Sequence, residues 1–187
     1  IDMIIDGGQV NIGLESTIVD FTEEVPVVLR PGYISLEMLR ETLGDVRMDK
    51  GLIKPDSKVH PKAPGMKYRH YAPKADLAIV EGPDERVIAE IEKRALEAEK
   101  NGDTVGIIAT DETKERYSHG IIKSIGSREQ EETIAHHLYE VLRDFDSCNV
   151  SAIYSEAFFT PKMGQAIMNR LLKAAGHKII NVEEETK

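Results

Sequence analysis

Tryptophan is absent from the 187 residues, aromatic residues make up 5%, and cysteine occurs once, as Cys148. A lone thiol excludes an intrachain disulfide framework and any cysteine-based metal site. Cations are also scarce: 24 Lys and Arg face 33 Asp and Glu, for a net charge of −9. That balance excludes a protein that coats nucleic acid, whose footprint would be basic. No apolar run approaches the ~18 residues of a bilayer span, and no basic segment followed by an apolar one opens the chain as a leader would. What is present, 41% hydrophobic and 30% charged residues, is the composition of a globular protein. The simplest compartment is a reducing cytoplasm, and the length allows one large domain or two small ones.

Residues Ile1 to about Gly44 read as β-rich. Ile1-Asp2-Met3-Ile4-Ile5-Asp6-Gly7-Gly8 has no initiator Met and begins inside an apparent strand with nothing before it to pair with. The expectation is therefore a C-terminal portion of a longer protein. Ser16 to Phe21 and Pro26 to Arg30 predict two strands around the Glu23-Glu24 turn. Ser35 is placed to cap a short helix ending at Leu43, with Gly44 as its stop. From Asp45 to Ala75 no period is sustained.

After Lys74 the pattern alternates. Strands are predicted at Leu77–Val80, Val105–Ala109, Gly120–Ser124, Ala152–Tyr154 and Ile179–Ile180. Between them lie helices at Asp84–Lys100, from a Ser127/Gln130 capping box through Phe145, and through Ile167 to a stop at Gly176. Such alternation implies a mostly parallel sheet covered on both faces. The division expected is 1–50, an interdomain linker over 51–75, and a small three-layer Rossmann-like unit over 76–187.

The linker is unusual. From Lys54 to Lys74 it carries six cations against one acid, Asp56, and it contains Lys67-Tyr68-Arg69-His70-Tyr71 between prolines. Prolines keep such a segment extended, and ordinary spacers lack rings. A basic strap with tyrosine hydroxyls in an acidic protein suits a small anion such as a polyphosphate. The plainer alternative is two tyrosines pinning the strap to a surface. Arg30, at a strand end before Pro31-Gly32, presents a planar fork suited to phosphate oxygens, unless it only pairs with Glu23 or Glu24. Gly13-Leu14-Glu15-Ser16-Thr17 puts hydroxyls at a strand mouth, where Gly13 would let the backbone approach a ligand; a simple strand start is the competing account. The adjacent His136 and His137 diverge by about 100° on a helix, so no histidine is assigned to a metal. Gly164 near a helix start and Asp111-Glu112 after a strand are weaker signals, explained equally by loop polarity.

Taken together, Gly13-Leu14-Glu15-Ser16-Thr17, Leu29-Arg30-Pro31-Gly32 and Pro64-Gly65-Met66-Lys67-Tyr68-Arg69-His70-Tyr71-Ala72-Pro73 resemble the long, two-domain form of L-threonylcarbamoyladenylate synthase. Asn169-Arg170-Leu171 through Ala174-Ala175-Gly176 resembles the end of that family's accessory domain. The resemblance implies an α/β fold: the C-terminal end of a YrdC-like domain, a proline-rich linker, and the Rossmann-like unit. It implies a nucleotidyltransferase that forms threonylcarbamoyl-AMP and pyrophosphate from L-threonine, bicarbonate and ATP, with magnesium, for the threonylcarbamoyladenosine modification of tRNA. By the same resemblance Ser16 contacts threonine, Arg30 contacts ATP, and Tyr68 or Tyr71 reaches the nucleotide phosphates, Tyr68 being favoured. Other tRNA-modification proteins are expected partners, whereas direct tRNA binding is disfavoured by the acidic composition. The family's upstream cationic and Ser-Asn motifs have no counterpart here, so the chain alone is expected to be inactive. The alternative is a non-catalytic, small-ligand-binding or regulatory α/β module.

Overall fold

The computed structural model describes residues 1–5, 12–53, 71–160 and 162–182. Two sheets organise them. The smaller contains β1 (Ile18–Asp20), β2 (Val27–Arg30) and β3 (Arg47–Met48) in the order β1-β2-β3. β1 and β2 run antiparallel and β2 and β3 parallel. Helix α1 (Leu36–Leu43) starts as predicted: the Met38 N–H donates to Ser35 Oγ at 3.2 Å, and Gly44 closes the helix at φ 81°.

The larger sheet is built from β4 (Asp76–Glu81), β5 (Val105–Ala109), β6 (Ile121–Ser124), β7 (Ala152–Glu156) and β8 (Ile179–Asn181). Its order is β6-β5-β7-β4-β8 and every pairing is parallel. Parallel strands must be buried on both faces, which explains why Leu77, Ile79, Ile107, Ile108 and Ile153 are all at 0% exposure. Helix α3 (Asp84–Lys100) covers one face with Val87, Ile88, Ile91 and Ala95. Helices α4 (Glu131–Phe145) and α5 (Gly164–Ala174) cover the other with Ile134, Leu138, Leu142, Ile167 and Leu171. The expected α/β class and three layers are those observed. Between β4 and β7 the connections leave toward opposite faces, which opens a crevice at the strand carboxyl ends.

Three local expectations fail. Residues 1–5 form no strand and stand exposed, because no described strand lies beside them to accept their hydrogen bonds. The stretch 45–53 is not featureless. It holds β3 and a short helix, α2 (Lys50–Ile53), because β2 supplies β3's hydrogen bonds and a two-residue strand has no period of its own. The Ser127/Gln130 capping box does not form, and α4 begins only at Glu131. Ser127 is engaged elsewhere: its Oγ donates to Glu112 Oε1 at 2.5 Å and its N–H to Thr133 Oγ1 at 2.9 Å.

Candidate functional site

Ser16 and Arg30 come together. β1 and β2 form an antiparallel ribbon, so the segment entering β1 lies beside the end of β2. Arg30 Nε donates to the Ser16 carbonyl at 2.9 Å and Nη2 to Ser16 Oγ at 3.2 Å. Its Nη1 lies 3.1 Å from Glu15 Oε2, so the guanidinium pairs with Glu15 and not with Glu23 or Glu24. Gly32 permits this packing, since a Cβ there would collide with the Glu15 carbonyl and the Thr17 nitrogen. The Arg30 fork is thus oriented by the segment it serves, and that fixes where its positive charge sits.

Gly13 allows a close approach too, but to protein. A Cβ at Gly13 would strike the carbonyl oxygens of Ala135 and His136, so residues 12–15 run flush against α4. This brings Glu15 to α5, where it also pairs with Arg170. Glu15 therefore joins the small sheet to the last helix. A cavity of about 430 Å³ opens beside this contact, lined by Ile12, Glu15, Tyr71, His136, Tyr139 and Arg170 among others. Tyr71 sits there at φ 59° with its ring edge-on to Tyr139, 5.1 Å between centroids. Tyr68, with the strap over 54–70, lies outside the described residues.

Arg170 and Lys173 were not predicted as site residues. They are 7% and 4% exposed, and Lys173 Nζ has no hydrogen-bond partner among the described residues. Burial, then the like charges of Arg170 and Arg30, pulls the Lys173 ammonium down to about 8. Burial likewise draws Arg170 down to about 10, which leaves it charged at neutral pH beside Glu15. The available signal was their placement: Arg170 and Lys173 are three apart, on the same side of a helix whose apolar stripe includes Ile167, Leu171 and Ala174.

The crevice between β4 and β7 is a second cavity, of about 300 Å³, lined by Glu81, Asp84, Arg128 and Phe159 among others. Arg128 is committed there to Glu156 Oε2 at 2.8 Å and to the Ala157 carbonyl at 3.0 Å. Tyr117 donates to the other Glu156 oxygen at 2.8 Å; burial, with the Glu156 charge next, raises its phenol strongly. At the start of α5 the Glu131 carboxylate accepts the N–H groups of Lys162 and Met163. The chain thus fills with its own carboxylate the helix end that Gly164 had marked as an anion position. Asp111 and Glu112 are similarly engaged, by Lys114, Ser124 and Ser127. Among the described residues no three His, Cys, Asp or Glu converge as a metal-holding group, and no helix is long and apolar enough to cross a membrane.

A doubly wound α/β unit joined to a small β-sheet, in which an arginine is oriented by a serine, defines the architecture of this chain. The family model described as threonylcarbamoyl-AMP synthase, C-terminal domain, matches residues 34–176, and the chain belongs to that family. The threonylcarbamoyl-AMP synthase of Bacillus subtilis (strain 168) is 45% identical over 95% of this chain and 49% of its own length. The crystal structure of P. abyssi Sua5 complexed with L-threonine superimposes with a TM-score of 0.85 at 38% identity, over 97% of this chain and 52% of that one. A variant of the P. abyssi protein, with a histidine and the tyrosine after it changed to alanine, gives the same TM-score at 36% identity, over 97% of this chain and 51% of its own. The chain spans about half the length of the curated relatives it matches.

Proposed function

We propose that this chain is the C-terminal portion of a threonylcarbamoyl-AMP synthase, divided as 1–50, 51–75 and 76–187. In this proposal the intact protein converts L-threonine, bicarbonate and ATP into threonylcarbamoyl-AMP and pyrophosphate, in the cytoplasm, for tRNA modification. The observation that carries the reading is the Ser16–Arg30 pair, held by Glu15, in a chain of this family. Ser16 contacts threonine and Arg30 the nucleotide. The L-threonine bound to the P. abyssi protein supports a threonine site. Tyr68 or Tyr71, with Tyr68 favoured, reaches the nucleotide phosphates from the strap. The one His-Tyr dipeptide in this sequence is His70-Tyr71, and the relative's doubly substituted variant draws attention to that pair.

The chemistry suits such a site. Adenylyl transfer places growing negative charge on departing pyrophosphate, and oriented cations stabilise that charge without reorganising. Magnesium would arrive on the nucleotide phosphates, which usually supply several of its oxygen ligands. Other tRNA-modification proteins are proposed as partners that receive the product; direct tRNA binding is not part of the proposal.

The test is product formation by the intact protein. Pyrophosphate release should require threonine, bicarbonate and ATP together, and mass spectrometry should detect the threonylcarbamoyl adduct of AMP. Pyrophosphate release indifferent to threonine and bicarbonate would contradict the reading. The 187-residue chain alone should form no adduct.

A further inference from the structure

Where α5 meets the small sheet, two guanidinium groups share one carboxylate, and a buried lysine stands one helical turn after the second of them. Arg30 and Arg170 both pair with Glu15, and Lys173 follows Arg170 by three residues on the same buried side of α5. Two positive charges remain uncompensated. A buried ammonium without a counter-ion or a hydrogen bond is costly, and proteins keep one where something else completes it. Among the described residues Lys173 Nζ and Arg170 Nη1 have no hydrogen-bond partner, although both residues are more than nine-tenths buried. The crevice at the strand ends differs: there Arg128 already has a buried carboxylate.

We propose that Arg170 and Lys173 of α5, with Arg30, form a binding site for a phosphoryl anion of at least two negative charges. Bicarbonate or a lone carboxylate carries one charge and would leave one cation unmatched. A pyrophosphate group, free or within a nucleotide, matches the excess and offers enough oxygens for two guanidinium forks and an ammonium. Arg170 and Glu15 line the 430 Å³ cavity, which gives the cluster its opening to solvent. The consequence is that the α/β unit does more than brace the small sheet: it supplies cations to the position that Arg30 marks. The identification of the anion rests on the function proposed above, whereas the existence of the anion site rests on the charge cluster.

The experiment is a titration of this chain with inorganic pyrophosphate, followed by calorimetry and thermal melting, with no threonine or bicarbonate present. Wild type should bind and gain melting temperature. Lys173→Met should melt higher than wild type without ligand, because an unpaired buried charge is gone, and should bind pyrophosphate about tenfold more weakly or worse, the equivalent of one charge-assisted hydrogen bond. Lys173→Arg should restore most of the binding. Failure of wild type to bind, equal binding by Lys173→Met, a lower ligand-free melting point for that variant, or equal binding of acetate would each overturn the proposal. Since no turnover is involved, pyrophosphate binding without product formation by the intact protein would overturn the proposed function and leave the anion site standing.

Discussion

Residues 76–182 and residues 12–53 are built on different terms. The first region closes two apolar clusters around a five-stranded parallel sheet, and two of its interior carboxylates are matched: Glu156 by Tyr117 and Arg128, Glu131 by two backbone N–H groups. The second region buries Val28, Leu29, Pro31 and Val46 among its described apolar side chains, and leaves Phe21, Tyr33, Ile34 and Met38 exposed. Its order comes from contact with the first, through Gly13 on α4 and Glu15 on Arg170. The large unit thus carries the stability, and the small sheet carries the groups that the proposed chemistry needs. At their contact neither rule holds: one carboxylate serves two guanidinium groups, and Lys173 Nζ has no hydrogen-bond partner among the described residues.

The sharpest way to break this contrast is to damage each region alike. Leu171→Ala should cost about 2–5 kcal/mol in urea denaturation, because Leu171 is fully buried and leaves a cavity. Phe21→Ala, at 63% exposure, should cost about 0.5 kcal/mol or less. Equal losses would mean that the small sheet has its own stabilising core. Next in size, Gly13→Ala should cost about 1–3 kcal/mol by forcing residues 12–15 off α4. A silent Gly13→Ala would remove the contact on which the coupling rests.

Smaller again is Glu131→Gln, expected to cost about 1–2 kcal/mol at neutral pH through weakened bonds to the start of α5. Burial opposes the charged form of Glu131, yet the Met163 N–H, the Thr160 hydroxyl and the Lys162 N–H hold its carboxyl below the ordinary 4.5. The sign follows: this stabilisation is complete above the unfolded value of 4.5 and is lost as pH falls through the folded one. Wild type and variant should therefore converge in acid, as read by denaturation at stepped pH. The smallest effect belongs to the exposed Arg116–Glu85 pair, where Arg116→Ala should leave the melting temperature unchanged within error.

Much of this was legible beforehand, and the failures share a cause. Periodicity marked α3 from end to end and the buried faces of α4 and α5, since burial on one side imposes its own spacing. The motifs around Ser16 and Arg30 were each singled out from the sequence, whereas the contact between the two was not. What stayed hidden depended on partners distant in sequence: β3 on β2, Ser127 on Glu112, and Arg30 on Glu15 in place of Glu23 or Glu24. Arg170 and Lys173 were visible only as two charges near an apolar stripe, and their meaning emerged once α5 was set against Glu15.

The most direct test of the account is made in the intact protein by comparing Arg30→Ala with wild type in threonine- and bicarbonate-dependent pyrophosphate release. If Arg30 holds the nucleotide where Ser16 receives threonine, the rate at subsaturating ATP should fall about 100-fold, as when an oriented donor to developing charge is removed. A variant that releases pyrophosphate at the wild-type rate would contradict the placement of the site between the small sheet and α5.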